Sequence, residues 1–446
     1  MPEPLGRDPV LSATSANQGE AVTLRIKIEN FSCVAHADIE LAPITVLIGP
    51  QASGKSVISK MIYFMSEIFS DQFRALEEGF TLTEFQSEVG ESFKEWFPET
   101  AWGSSAFRVE LSSGDFYIRI LRRVYGRRTA DSVRVVFSKN LRSFYRETAA
   151  IIEKYSQEKG SDAARFDHVY RAAREAEARF GGKLYPDYYR NQIFIPAGRA
   201  FFSSIGKAIA AWEQLGALDP VTARFGRLYA AVRGQGPRRF IRRSDRHVLD
   251  AELVASLLGG EIKSEKNKEF VLSRDGRKLP FSILSSGQQE VLPLISVMNY
   301  WLGRVPPVPN IGREMVYIEE PEAHLFPTSQ SQLMKGLCAA LDANRKSIDL
   351  FVTTHSPYVL ATINNLMKAG GLVEKKPDLK KTVQEIISEK YWLKPSDVSA
   401  YALIEGRAID IVDREEGLIS PDYLDHISED IAQDFSALME IEMRVA

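Results

Sequence analysis

The chain has 446 residues, a formal net charge of −3, 44% apolar residues and 26% charged residues, values close to those of average soluble domains. This composition excludes a disordered chain, a collagen-like fibre and a disulfide scaffold, and two cysteines, Cys33 and Cys338, are too few for a zinc site of their own. No apolar run reaches the roughly 20 residues of a membrane helix. We therefore expect a soluble, cytoplasmic protein without membrane contact, which begins with a flexible arm over residues 1–20.

The segment that follows the arm carries a strand pair, a buried strand and a helix. Apolar and polar residues alternate over 24–28 and again at 39–41, which predicts two strands with one buried face. Ile44–Ile48 is apolar on both faces, as in a central parallel strand. From Lys55 onward apolar residues recur at helical spacing. The order of strand, loop and helix predicts the first part of an α/β head over residues 21–76.

Residues 77–189 depart from this pattern and form a predicted insertion. Alternating runs at 107–111 and 116–121 flank a Ser-Ser-Gly-Asp turn, which predicts a hairpin. Residues 142–180 are rich in Ala, Arg and Glu, and predict two helices that are broken near Gly160. The insertion is therefore expected to be mainly helical.

The head resumes with a short strand at 193–195. Strands and helices then alternate, which is typical of a parallel α/β sheet. We expect the second part of the head over 190–363 and a C-terminal α/β tail over 364–446.

The strongest motif is Gly49-Pro-Gln-Ala-Ser-Gly-Lys-Ser56, which fits the phosphate-binding pattern GxxxxGKS between a strand and a helix. Glycines allow backbone N–H groups to surround phosphate oxygens, and the helix N-terminus adds a positive dipole. Lys55 would reach the β- and γ-phosphates, and Ser56 would ligate Mg²⁺. The alternative is an ordinary glycine-rich turn, but the context argues against it. The predicted nucleotide-binding residues of this loop are Gly49, Ala52, Ser53, Gly54, Lys55 and Ser56.

A second segment, Leu284-Ser-Ser-Gly-Gln-Gln-Glu290, opens a predicted helix. Small residues and a glycine at a helix start form an anion site, but Ser-Ser-Gly is also common in ordinary loops. The residues that we single out here as nucleotide-binding are Ser285, Ser286, Gly287 and Gln288.

Two acidic residues end a buried strand in Val316-Tyr-Ile-Glu-Glu320, at the position where ligands bind in open α/β sheets. One carboxylate can hold Mg²⁺ through water while the other orients the attacking water; the alternative is a solvated strand end. His355 ends another strand and is placed to hydrogen-bond the γ-phosphate, although most single histidines are structural.

The order of these four segments resembles that of the ABC-type ATPases. More narrowly, IEEPEAHLFP and TTHSPYVL resemble the OLD-like branch, whose relatives include the SMC and RecF proteins. The resemblance covers residues 21–76 and about 190–363. It implies an ABC-type P-loop ATPase head with a mixed α/β sheet, and a homodimer in which ATP lies between the P-loop of one protomer and the Ser-Ser-Gly segment of the other.

The resemblance also implies roles for single residues. Glu319 takes the Mg²⁺-associated position, although ABC proteins usually have Asp there, and Glu320 takes the position of the catalytic carboxylate, assisted by His355 and Lys55. Gln192 is the candidate for the Mg²⁺-sensing glutamine, with a surface glutamine as the alternative. ATP and Mg²⁺ are therefore the expected cofactors.

The remaining chain bears on what the ATPase is for. The insertion is too short for the long coiled-coil arms of SMC-type proteins, and no Asp-x-Asp pair of a Toprim nuclease follows His355. The first hypothesis is an ATPase subunit of an antiphage defence system, resembling PARIS or Septu, which controls a separate nuclease or toxin effector. The alternative is a RecF-like DNA-binding ATPase of repair or recombination. The candidate nucleic-acid contacts, for which a solvated face is an equal alternative, are Arg238, Arg239, Arg242, Arg243 and Arg246.

Overall fold

The computed structural model describes residues 23–126, 128–157, 175, 189–205, 218–234, 249–265, 268–303, 313–342 and 348–420. The N-terminal arm, most of the second predicted insertion helix and all five candidate nucleic-acid arginines lie outside the described residues. Across these described ranges, no helix combines the length and apolar character that crossing a membrane requires.

The described residues include sixteen strands, which pair in both parallel and antiparallel orientation. They are β1 (Leu24–Phe31), β2 (Val34–Glu40), β3 (Ile44–Ile48), β4 (Arg108–Ser113), β5 (Phe116–Tyr125), β6 (Arg128–Phe137), β7 (Tyr189–Ile195), β8 (Gly260–Glu265), β9 (Lys268–Ser273), β10 (Lys278–Pro280), β11 (Arg313–Glu319), β12 (Ile348–Thr354), β13 (Val398–Ile404), β14 (Arg407–Asp410), β15 (Val412–Asp413) and β16 (Leu418–Ile419). Within the described residues, eleven of them form one sheet in the order β6-β5-β4-β1-β2-β14-β13-β3-β12-β11-β7.

The helices connect these strands and cover the sheet. They are α1 (Lys55–Glu77), α2 (Leu82–Trp96), α3 (Lys139–Gln157), α4 (Ala200–Ile205), α5 (Pro220–Gly234), α6 (Ala251–Leu258), α7 (Ser286–Gly303), α8 (Pro327–Asp342), α9 (Pro357–Lys375) and α10 (Lys380–Ile386). The predicted mixed α/β architecture is confirmed.

The large sheet has an antiparallel half and a parallel half. In the antiparallel half, β1 pairs with β2 and β4, and β4 and β5 form the predicted hairpin. In the parallel half, β3 lies between β12 and β13, and β11 lies between β12 and β7. The strands of the predicted insertion and of the predicted tail therefore extend the same sheet as the head.

Side chains on the two faces of the sheet enter two separate cores, because successive residues of a strand point to opposite sides. In β11, Tyr317 joins the core that contains residues of α1, α2 and α3. Its neighbours Val316 and Ile318 join the core on the other face, with residues of α7, α8 and α9. The parallel strands are thus buried on both faces, and their carboxyl ends meet at one edge of the sheet.

Candidate active site

The carboxyl ends of three adjacent parallel strands bring the predicted phosphate and acidic segments together. Thr354, at the end of β12, pairs with Ile48, at the end of β3, and Glu319 pairs with Thr353. The P-loop, the segment that starts at Glu320 and His355 therefore leave the sheet side by side. This is the edge at which ligands bind in open parallel sheets.

The P-loop is held between the β1–β2 turn and β13. A Cβ atom on Gly49 would lie 2.7 Å from the carbonyl oxygen of Leu403. Gly54 has φ +108° as the N-cap of α1, and a Cβ there would lie 2.9 Å from the Sγ atom of Cys33. Both positions therefore require glycine, the first because of close backbone approach and the second also because of its left-handed conformation.

The loop has unused capacity for an anion. Ser53 Oγ is buried and has no hydrogen-bond partner among the described residues. Ala52 adopts φ +59°, so left-handed backbone occurs within the loop as well as at its end. A cradle of glycines, an unpartnered hydroxyl and a helix N-terminus fits the phosphate groups of a nucleotide.

A continuous series of contacts links Lys55 to Glu320 through His355. Lys55 Nζ donates to the carbonyl oxygens of Gly49 and Pro50 at 2.8 Å each, and it lies 3.3 Å from His355 Nδ1. The other ring nitrogen, Nε2, lies 2.8 Å from Glu320 Oε1. Because an ammonium group is only a donor, Nδ1 is the acceptor and Nε2–H donates to the carboxylate, which assigns the tautomer.

Two features of the surroundings of Lys55 act on its charge in opposite directions, namely burial and nearby acidic groups. The side chain is buried, and this burial lowers the pKa of Lys55 below its usual range, while Glu320, Glu322 and Glu319 act in the opposite direction. The three acidic groups thus favour the charged form of Lys55, and their excess negative charge is of the kind that a bound cation would offset before an anionic phosphate enters.

Glu320 has an unusual backbone conformation. Its φ is +43°, in the left-handed region that residues with a side chain rarely adopt. Its N–H donates to the carbonyl oxygen of Thr353, and its own carbonyl oxygen accepts from Ala323 N–H at 3.1 Å. The chain therefore turns sharply directly after β11, and the Glu320 side chain stays 36% exposed at the edge of the sheet. Such strain occurs often at functional sites.

Glu319 and Ser56 fit a magnesium site. Glu319 is buried, and among the described residues its carboxylate receives two long, neutral hydrogen bonds, from Ser59 Oγ at 3.3 Å and from Ala197 N–H at 3.4 Å. Ser56 is exposed in the first turn of α1. A carboxylate and a hydroxyl are oxygen ligands of the type that Mg²⁺ prefers, together with phosphate oxygens and water.

The structure does not bring Gln192 to this edge. Gln192 pairs with Met315, well before the carboxyl end of β11. Its amide is engaged on one face of the sheet, where Nε2 donates to the carbonyl oxygen of Tyr63 and Oε1 accepts from the hydroxyl of Tyr317. Gln192 is therefore not brought together with the other predicted site residues. At the strand end, the contact to Glu319 comes from the backbone of Ala197.

Two buried charged residues beside the site are not among those that the sequence motifs single out. Glu322 is buried, and its Oε1 accepts hydrogen bonds from Thr354 Oγ1 and from the N–H of His355, both at 2.7 Å. Arg199 is fully buried beside Glu319 and Glu320. The sequence feature that could have indicated them is their charge next to apolar strands, because a buried carboxylate or guanidinium group needs a partner.

The Ser-Ser-Gly segment starts α7 as predicted. Ser285 N–H and Oγ donate to Gln288 Oε1 at 2.9 and 3.0 Å, and Gln288 Nε2 donates to the carbonyl oxygen of Leu258 at 2.6 Å. Ser285 and Ser286 are exposed, and a Cβ on Gly287 would lie 2.7 Å from the carbonyl oxygen of His324. In the described part of the chain, none of these hydrogen bonds reaches the P-loop of the same chain.

The arginines near the β4–β5 hairpin are largely paired. Arg119 contacts Glu110 at 2.5 Å, and Arg122 contacts Asp131 at 3.0 Å while its side chain is almost buried. The neighbouring cavity of about 510 Å³ is lined partly by Arg122 and Arg134. Arg119 and Arg122 are therefore neutralised by acidic residues of the same sheet, and they add little positive charge to the surface.

Comparisons with known proteins agree with a nucleotide-binding site. The model of the family described as "AAA domain, putative AbiEii toxin, Type IV TA system" matches residues 44–361. No curated protein matches the chain.

Similar solved structures include an SMC head bound to the C-winged helix domain of ScpA (12% identity, 87% of this chain and 96% of that chain, TM-score 0.37). Others are the SMC head domain from Thermotoga maritima (13%, 88% and 98%, 0.33) and the ADP conformation of an ATP-binding cassette of an ABC transporter (11%, 89% and 93%, 0.31). At these scores the structures add no argument to the family match.

Proposed function

Because the chain belongs to the AbiEii-type family of AAA domains, we propose that it binds ATP with Mg²⁺ and hydrolyses the ATP to ADP and phosphate. The observation that carries this proposal is the series of contacts from Lys55 through His355 to Glu320. In this series the ammonium group of Lys55, the ring N–H of His355 and the exposed carboxylate of Glu320 are neighbours beside the P-loop. These are the groups that phosphoryl transfer to water requires.

The proposed chemistry assigns one task to each residue. Glu320 orients the attacking water toward the γ-phosphorus and accepts its proton as the new P–O bond forms. The bond from the γ-phosphorus to the β–γ bridging oxygen breaks, and its electron pair stays on the β-phosphate of ADP. Lys55 stabilises charge on the phosphates, because an anionic phosphate is a stronger acceptor than the neutral carbonyls that it contacts. Mg²⁺ held by Ser56 and Glu319 would supply further charge neutralisation.

We propose that two copies of the chain form the complete site, with Ser285, Ser286, Gly287 and Gln288 of one protomer facing the P-loop of its partner. Three large apolar side chains support a protein contact here, because each lies beside a site segment and is strongly exposed: Ile283 (65%), Phe326 (73%) and Tyr358 (52%). Large exposed apolar side chains next to site segments are of the kind that a protein contact buries.

The test is the substitution Glu320→Gln, which keeps the shape of the side chain and removes its charge. We expect ATP turnover to fall about 100-fold or more, the usual contribution of a positioned general base, and an ATP-dependent dimer to accumulate in light scattering. The matched control is Glu415→Gln, because Glu415 is exposed near β15 and β16. Unchanged turnover in Glu320→Gln would refute the catalytic assignment.

We also propose that this ATPase is the regulatory subunit of an antiphage defence system and controls a separate nuclease or toxin effector. The family's description, which names a putative AbiEii toxin of a Type IV TA system, supports a role in a toxin system. A pull-down from the native host tests it: an effector protein that copurifies supports the defence role. Copurifying DNA without such a protein supports the RecF-like alternative.

A further inference from the structure

Arg199 gathers main-chain carbonyl groups from three separate segments. Its Nη1 donates to the carbonyl oxygens of Pro196 at 3.1 Å and Glu319 at 2.8 Å. Its Nη2 donates to the carbonyl oxygen of Glu320 at 3.0 Å, and its Nε donates to that of Glu290 at 3.0 Å. One side chain thus connects the loop after β7, the end of β11 and the helix α7.

The burial of the Arg199 guanidinium carries a desolvation penalty, because the charge is removed from water. Its side chain has no exposed surface, and the carboxylate of Glu290 lies 3.5 Å away as its ionic partner. Glu290 is itself buried, and this burial raises the pKa of its carboxyl group despite the nearby guanidinium. A buried ion pair rarely stabilises a fold more than apolar residues of the same volume would. A positional role is therefore the better explanation for its presence.

The segments that Arg199 connects are those that the reaction uses. Glu320 adopts φ +43°, and its carbonyl oxygen is one of the four that Arg199 binds. Because a strained residue keeps its conformation only when its surroundings enforce it, removal of this hydrogen bond weakens the support of the turn that presents the Glu320 carboxylate. Glu290 lies one helical turn after Ser286, where the exposed Ser-Ser-Gly segment begins α7.

We propose that Arg199 is a positioning residue for ATP hydrolysis, which holds the Glu319–Glu320 main chain in its catalytic orientation and ties it to the helix that carries the Ser-Ser-Gly segment. This inference rests on the proposed function. Arginine is required because its planar guanidinium offers five donors in fixed directions, whereas lysine offers one compact ammonium group. Arg199 touches neither water nor phosphate in this role, so its effect passes through Glu320.

The test is Arg199→Lys, which keeps the positive charge beside Glu290 but loses the planar fork. We expect kcat to fall by about 100-fold, since displacement of a catalytic group by about 1 Å has an effect of this size. The Kd for ATP, measured with a fluorescent analogue, is expected to change less than about threefold, because Arg199 contacts none of the P-loop residues and the P-loop supplies the phosphate contacts. A purely structural role would instead lower the thermal midpoint and leave kcat at low temperature unchanged.

The matched control is Arg122→Lys. Arg122 is also almost buried, and its guanidinium also binds backbone carbonyls, those of Gly103 at 2.6 Å and Ala130 at 2.9 Å, but on β5 of the antiparallel half. This control measures the loss of stability when lysine replaces an almost buried arginine whose guanidinium group binds backbone carbonyls. We expect its kcat to remain that of the wild type.

A second variant keeps the inference testable if lysine is not tolerated at this position. Arg199→Met combined with Glu290→Met removes both buried charges and keeps the volume, a replacement that usually preserves folding. We expect the same selective loss of kcat. A wild-type kcat in either folded variant would overturn the inference, whereas absence of ATP hydrolysis in the wild-type protein would overturn the proposed function instead.

Discussion

Glu322 provides the sharpest test of how the site is built, because it stabilises the site without serving the chemistry directly. Its Oε1 accepts hydrogen bonds from the hydroxyl of Thr354 and the N–H of His355. The substitution Glu322→Ala removes the acceptor of both donors. Glu322→Gln keeps one acceptor oxygen and removes the charge.

The expected loss follows from the two hydrogen bonds. A hydrogen bond to a charged group contributes about 1.5–3 kcal/mol, and a neutral one contributes about 1 kcal/mol. With both hydrogen bonds lost, Glu322→Ala should cost at least ~3 kcal/mol, which is the sum of the two lower values. Glu322→Gln should cost ~1–2 kcal/mol, since both contacts survive in neutral form.

Thermal unfolding followed by circular dichroism measures this difference. At ~1 °C for each kcal/mol in a chain of 446 residues, Glu322→Ala should lower the midpoint by roughly 3 °C and Glu322→Gln by about half as much. The exposed Glu415 provides the control, because Glu415→Ala should leave the midpoint unchanged. Equal midpoints for Glu322→Ala and the wild type would refute the reasoning, since the two short hydrogen bonds would then contribute nothing.

Two further predictions concern backbone strain and pH. Gly54→Ala should weaken ATP binding about tenfold, because φ +108° and the close Cys33 Sγ atom leave no space for a Cβ, whereas Gly79→Ala, also at positive φ but with open space around it, should leave the Kd unchanged. Burial, with a smaller contribution from Glu67, raises the pKa of Asp71 to about 6 from an ordinary value of 3.8, so the folded state holds this proton more tightly and stability falls as pH rises between these values. Asp71→Asn should therefore stabilise the folded state at pH 8 by ~3 kcal/mol, which corresponds to the difference between the two pKa values. The thermal midpoint should rise at pH 8 but not at pH 4; an equal gain at both values would contradict this assignment.

The parts of the site that lie within one short segment were predictable from sequence. The P-loop follows from Gly49 to Ser56 alone, because strand, loop and helix are adjacent in the chain. Glu320 and His355 were also recognised from their local patterns, each at the end of an apolar strand. Their mutual contact needs only the register of two neighbouring parallel strands.

The parts that depend on distant pairing were not predictable. Gln192 has the right residue type on a strand next to the site, but the register of β7 places it opposite Met315 instead of at the strand end. Arg199 and Glu290 are separated by a long stretch of chain, and no pattern in either segment indicates that one binds the other. A pattern specifies which face of a strand is buried, whereas the register that aligns side chains is set by tertiary contacts.

The place of β13 in the sheet has a consequence for biosynthesis. β13 covers residues 398–404, and it pairs with β3, whose residues 44–48 lead into the P-loop. On the ribosome, β3 is complete long before its two neighbours in the sheet, β12 and β13, have been made. The strand that carries the P-loop therefore waits with both edges unpaired until residues 348–354 and then residues 398–404 are added. Because Leu403 also supports Gly49, we expect the nascent chain to bind nucleotide only after the C-terminal strands emerge, which makes late synthesis the step at which this protein becomes active.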